Sequence, residues 1–217
     1  MGYDAEHVAK SIKYMWKFLN LPSPTLTFLL GASSGGSFAF EFAYYSKTLY
    51  SIDISGVCVQ ISSGGRHATE YHIPVIFIHM PRDSRTANAV SKSYHALSTA
   101  QVCTEEKQSH PKSLLAGDFF YHHGQALSEE DSKLFTEALN KAGYLDTQGF
   151  LLEDPRTSNW REIGLKSIPH IVPLRDSLQA DQSPISELMS VAWASHEITD
   201  EYIDDVINFF ERCKPKY

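Results

Sequence analysis

The sequence predicts an α/β protein: a mostly parallel sheet with helices on both faces, followed by an extra helical segment towards the C-terminus. Three observations predict it. Short apolar runs near residues 26–30, 54–61 and 74–80 alternate with stretches of helical spacing, the pattern of successive βαβ units. The run Pro74-Val75-Ile76-Phe77-Ile78-His79-Met80 is almost continuously apolar, as a strand buried on both faces requires. Gly31-Ala32-Ser33-Ser34-Gly35-Gly36 lies between an apolar run and a helical one, reading as strand, sharp turn, helix.

A chain of 217 residues with 42% hydrophobic and 21% charged residues can build one full core, so a single domain spanning 1–217 is expected. The net charge of −7, with no Lys/Arg block, offers nucleic acid or an anionic membrane no attraction. No segment has the apolar core of a signal peptide or the length of a membrane helix, which makes a soluble protein, cytoplasmic by default, the expectation. Cys58, Cys103 and Cys213 form neither C-x-x-C pairs nor a disulfide framework, and read as reduced and structural.

In chain order, Val8, Ile12, Met15, Trp16 and Leu19 recur at helical spacing over residues 4–20, until Leu21-Pro22-Ser23-Pro24 stops the pattern. After the Gly/Ser turn, Phe38, Phe42 and Tyr45 mark the face of a second helix. Residues 54–61 form a buried strand, and Ser62-Ser63-Gly64-Gly65 a loop at its end. The strand over 74–80 leads to Asp83, a helix spans about 87–100, and 101–107 form a weaker strand. From His110 the character changes, and 111–182 reads as an inserted or lid-like segment. Within it, Ser128 caps a helix that Gly143 closes, residues 154–160 are turn-rich, and 168–174 are a short strand broken by Pro169 and Pro173. Ser183-Pro184 opens another helix, and Thr199 caps a terminal one with Ile203, Val206, Ile207 and Phe210 as its apolar stripe.

Gly31-Ala32-Ser33-Ser34-Gly35 fits G-x-S-x-G, in which a strand reverses into a helix so sharply that the central hydroxyl stands exposed. Ser33 is then a candidate nucleophile. The Ser34 N–H, at the positive end of the helix, is a candidate oxyanion donor. The same string also serves as a plain turn or a phosphate-binding loop, so partners must be found. A serine nucleophile needs a base to take its proton and an acid to orient that base. Asp83, just past a strand's carboxyl end, is the candidate acid; a turn or helix-cap carboxylate is its alternative role, and Asp176 is a reserve. His196, directly before the closing helix, and His110, after the weak strand, are the candidate bases, with His196 first. No metal or other cofactor is expected, because the ten histidines show no ligand spacing and no P-loop or G-x-G-x-x-G string occurs.

The elbow from Leu29 to Gly36, the strand leading to Asp83 and a His before a closing amphipathic helix resemble the C-terminal half of an α/β-hydrolase. Through His79-Met80-Pro81-Arg82-Asp83, Asp154-Pro155-Arg156 with Trp160, and Ala192-Trp193-Ala194-Ser195-His196-Glu197, the chain is more closely similar to a group of plant and algal α/β-hydrolase-like proteins. The resemblance implies a serine hydrolase of esterase or lipase type that acts on a small-molecule ester through an acyl-enzyme at Ser33. It departs from the family in having only about 25 residues before the elbow, so the N-terminal strands and the loop giving a second oxyanion donor are not found. Loss of one such donor costs roughly 10²–10³-fold in rate. A catalytically weak or inactive binding protein, or a fragment of a longer hydrolase, is therefore the alternative, and homodimerisation through the exposed sheet edge a further expectation.

Overall fold

The computed structural model describes residues 3–21, 26–67, 70–168, 183–194 and 198–213. Its contacts divide the chain into two compact units: Met1–Ser109 with Ile198–Tyr217, and His110–Glu197.

The first unit is a four-stranded, all-parallel sheet in the order β1-β2-β3-β4, formed by Phe28–Ala32, Gly56–Gln60, Val75–His79 and Thr104–Gln108. Every residue of β2 and β3 is buried, as the two central strands of a parallel sheet covered on both faces require. The period of two then sorts their side chains between two cores. Val57, Val59, Val75 and Phe77 face Phe40, Phe42 and Ala43 of α2 (Ser34–Tyr50), with Ala5 and Ala9 of α1 (Tyr3–Phe18) and Val90 and Leu97 of α3 (Ala87–Thr99) in the same cluster. Cys58, Ile76 and Ile78 face the opposite way, against Val206, Phe209 and Phe210 of the terminal helix Ile203–Arg212.

That terminal helix differs from the expectation at both its start and its face. It begins at Ile203 rather than just after Thr199, whose hydroxyl instead accepts the Glu201 N–H in a local turn at 3.1 Å. Phe209 is buried, whereas Ile207 is 53% exposed, because the helix meets the sheet one position round from the face its spacing suggests. Burial of Val206, Phe209 and Phe210 is worth about 1.5–3 kcal/mol for each side chain. The flanking pairs Lys107–Asp205 and Arg212–Glu105 are partly exposed and contribute about 0–1 kcal/mol each, so apolar contact dominates the docking. Cys103, just before β4, is disulfide-bonded to Cys213 at the helix end, their Cα atoms 6.6 Å apart. This corrects the reading of three reduced cysteines: a separation of 110 residues carries no local spacing signal, and only the fold brings the pair together. Cys58 alone is a free thiol among the described residues, and it is buried.

The second unit contains α4 (Phe119–His122), α5 (Glu129–Lys141), α6 (Trp160–Gly164), a 3₁₀ turn Leu165–Ser167 and α7 (Pro184–Ala194); the terminal helix of the first unit is α8. Ser128 caps α5, accepting the Asp131 N–H at 3.1 Å, and Gly143 follows it at φ +77°. Phe120, Phe135, Leu139, Trp160 and Met189 are central to its core. The turn-rich stretch is built on Asp154, whose carboxylate accepts the backbone and side-chain N–H groups of Arg156, while the Trp160 indole donates to the Pro155 carbonyl at 2.9 Å. The strand expected at 168–174 falls, beyond Ile168, outside the described residues.

Candidate functional site

β1 ends at Ala32, and α2 begins at Ser34, leaving Ser33 alone to turn the chain. Its backbone sits at φ +52°, ψ −124°, in a region that side-chain-bearing residues rarely enter and that costs about 1–3 kcal/mol. Hydrogen bonds on both sides hold it there. The Ser33 N–H donates to the Gln60 carbonyl at the end of β2 at 2.9 Å, and the Ser33 carbonyl accepts from Gly36 at 3.0 Å and Ser37 at 3.3 Å to start α2.

Two glycines make the turn possible by close approach. A Cβ on Gly31 would lie 2.2 Å from the Gly35 carbonyl oxygen, and one on Gly36 would lie 2.8 Å from Ser62 Cβ and 3.0 Å from the Gly31 oxygen. The contacts at 2.2 and 2.8 Å are shorter than packing allows. Gly35, by contrast, has nothing within 4 Å of the position of a Cβ. Ser62 belongs to the second Ser-Ser-Gly-Gly loop, and its hydroxyl meets that of Ser37 at 2.7 Å, so the two similar loops pack on one another.

Ser33 occupies the N-cap position, yet its side chain makes no capping hydrogen bond to α2. Serines at that position are usually favoured because they cap. Ser33 is half-buried and Ser34 exposed, so the Ser34 N–H lies in the first turn of a 17-residue helix whose dipole favours negative charge. Chemically, the turn presents a hydroxyl and a backbone donor at the carboxyl edge of a parallel sheet, where α/β proteins collect their ligands.

Asp83 stands at the same sheet edge, after β3, with β2 between its strand and that of Ser33. It is 3% exposed. One carboxylate oxygen accepts the Arg85 N–H at 3.0 Å and the other the Thr86 hydroxyl at 2.8 Å, while the Arg85 guanidinium lies 3.5 Å away. Asp83 thus performs the local turn role before α3 that was its alternative reading. His110 is exposed and begins the second unit. His196 and Asp176 lie outside the described residues.

Two features near this edge were not singled out in the sequence. Buried His79, at the end of β3, shares a hydrogen bond of 2.5 Å with Glu106 of β4, and its Nδ1 has no partner among the described residues. Their spacing of 27 residues carries no local signal; only the β3–β4 register brings them together. Gln60 is 3% exposed, and its side-chain amide donates to the Thr199 carbonyl and accepts the Thr199 N–H, both at 3.2 Å. A single glutamine at the end of an apolar strand is the one hint of that clasp.

Among the described residues, no group of three or more His, Cys, Asp or Glu side chains is arranged to hold a metal ion. No described helix is long and apolar enough to cross a membrane. The second unit holds a cavity of about 200 Å³, lined by Leu115, Lys133, Thr136 and Asn140 among others. Neither protein-family models, nor curated proteins, nor solved structures yield a match to the chain.

Proposed function

We propose that the protein is a serine hydrolase that cleaves a small-molecule carboxylic ester through an acyl-enzyme at Ser33. The observation that carries this reading is the Ser33 turn: a positive φ at a strand-to-helix reversal, on a serine whose hydroxyl is not used to cap the helix it precedes. A backbone cost of about 1–3 kcal/mol is more readily accounted for at a reactive serine than at a simple connection, where glycine would remove it.

In the proposed reaction a histidine takes the Ser33 proton as Oγ attacks the ester carbonyl, and the Ser34 N–H stabilises the oxyanion. The alcohol leaves with the proton from the histidine. Water, activated by the same base, then releases the acid and restores the serine. Asp83 is the proposed orienting acid, and His196 is the base to test before His110.

One observation favours a second reading, a binding protein that keeps the elbow as a structural turn: both Asp83 oxygens already serve Arg85 and Thr86. A fluorophosphonate probe separates the two. The expected result is labelling of the folded chain that disappears in Ser33→Ala and in only one of His196→Ala and His110→Ala. Folded protein that takes up no probe overturns the hydrolase reading.

A further inference from the structure

The two edges of the sheet are built differently. β4, on one side, reads Thr-Glu-Glu-Lys-Gln, with Lys107 paired to Glu105 and Asp205, the charged dressing that keeps an edge strand from pairing with another chain. β1, on the other, reads Phe-Leu-Leu-Gly-Ala and has no charge at all. Among the described residues β2 is its only strand neighbour. Because Ser33 N–H points to β2, the alternation of a parallel ladder turns the N–H and C=O groups of Phe28, Leu30 and Ala32 away from it, towards the open side.

The side chains beside this edge are also apolar and exposed. Leu30, the central residue of the strand, is 51% exposed. It shares a face of the sheet with Phe28, which stacks on Phe210 of α8 at 4.3 Å between ring centroids. Ile207 and Ile203 lie three and seven positions before Phe210, on the same stripe of α8, and both are about half exposed. The other flank of α8 is the polar one, where Asp205 and Arg212 reach β4.

We propose that the β1 edge is a dimer interface, pairing antiparallel with β1 of a second copy of this chain about a twofold axis at Leu30. A second copy is the occupant because the strand suits itself. It carries no charge to meet its own like across the axis, and its outward-facing residues are centred on Leu30. Leu30 then exchanges both backbone hydrogen bonds with the partner copy's equivalent, and Phe28 faces Ala32 at either end. The exposed leucines meet on the face that carries α8, with Ile203 and Ile207 beside them, and the result is one continuous sheet with no uncharged edge. This inference is independent of any activity at Ser33.

Light scattering on the full chain across a dilution series tests it. The expected mass is twice that of the monomer, and Leu30→Lys, which sets two ammonium groups against each other at the axis, abolishes the dimer with the circular dichroism spectrum unchanged. Leu152→Lys, at a 54% exposed leucine of the second unit, leaves the dimer intact. Directly opposed residues of a hydrogen-bonded antiparallel pair have Cα atoms about 5.5 Å apart, within disulfide reach, so Leu30→Cys gives a crosslinked dimer on a non-reducing gel. That variant decides the question should Leu30→Lys fail to fold. A parent chain that is monomeric throughout, whether or not it captures another partner, overturns the proposal. So does a dimer that survives Leu30→Lys, or a Leu30→Cys protein that does not crosslink.

Discussion

The Gln60 side-chain amide grips the backbone of Thr199 from both sides, donating to its carbonyl and accepting its N–H, each at 3.2 Å. The same residue receives the Ser33 N–H on its own carbonyl, so one glutamine ties the turn after β1 to the segment leading into α8. Replacing it with Leu retains the volume but leaves two backbone groups of Thr199 without those partners. An unsatisfied buried polar group costs about 1–3 kcal/mol. Gln60→Leu is therefore expected to lower the urea midpoint without changing the slope of unfolding. It is also expected to slow fluorophosphonate labelling more than its loss of stability explains, and an unchanged labelling rate would remove Gln60 from any functional account.

The elbow glycines are expected to respond unequally. Gly31→Ala drives a Cβ against the Gly35 carbonyl, and neither backbone can retreat without moving the start of α2. Gly35→Ala meets nothing and replaces glycine in a helical first turn, where alanine is favoured by up to about 1 kcal/mol. Thermal melts of the two variants should move in opposite directions, down for Gly31→Ala and level or up for Gly35→Ala.

Cys103 and Cys213 give a direct count. After denaturation without reductant one thiol is expected to react with an aromatic disulfide reagent, against three after reduction. In the chain-entropy account a crosslink closing a loop of about 100 residues contributes roughly 4–5 kcal/mol. Cys213→Ser should consequently fall in chemical stability by about 2–5 kcal/mol, and three reactive thiols without reduction would contradict the bond.

Cys58 yields a pH prediction. Burial pushes its thiol from 9.0 up to about 12, against a weaker opposing hydrogen bond to Gln60. Its folded value is raised, so the neutral thiol's contribution to stability is complete below about pH 9 and is lost as pH rises from there through about 12. Alkylation of the folded protein at pH 8 should spare Cys58, and unfolding should expose it. Rapid alkylation at pH 8 with the fold intact would show that the thiol is neither buried nor raised.

Gly164→Ala tests the second unit by itself. A Cβ there would lie 2.3 Å from the ring of Phe135, which is itself fully buried in the core with Trp160. Such overpacking costs about 1–3 kcal/mol, and the Trp160 fluorescence transition is the readout. An unshifted transition would mean that Phe135 can yield.

The α/β class, a mostly parallel sheet and most element positions were legible in the residues, because each depends on local pattern. The apolar run of 75–79 is a strand with both faces covered, Ser128 and Gly143 mark the two ends of α5, and the glycines about Ser33 mark a reversal tight enough to need them. What could not be read there depends on partners far away in the chain. Cys103 with Cys213, His79 with Glu106 and Gln60 with Thr199 lie 110, 27 and 139 residues apart, and no periodicity encodes such pairs. The sequence by itself determined where the chain turns and which segments are buried, since the cost of bending a backbone or exposing an apolar run is paid locally. Only the tertiary structure decided that Ser33 does not cap α2, that Asp83 serves its own turn, that α8 buries Phe209 in place of Ile207, and that one sheet edge is charged and the other bare. Each of those depends on which surfaces meet once the strands have paired.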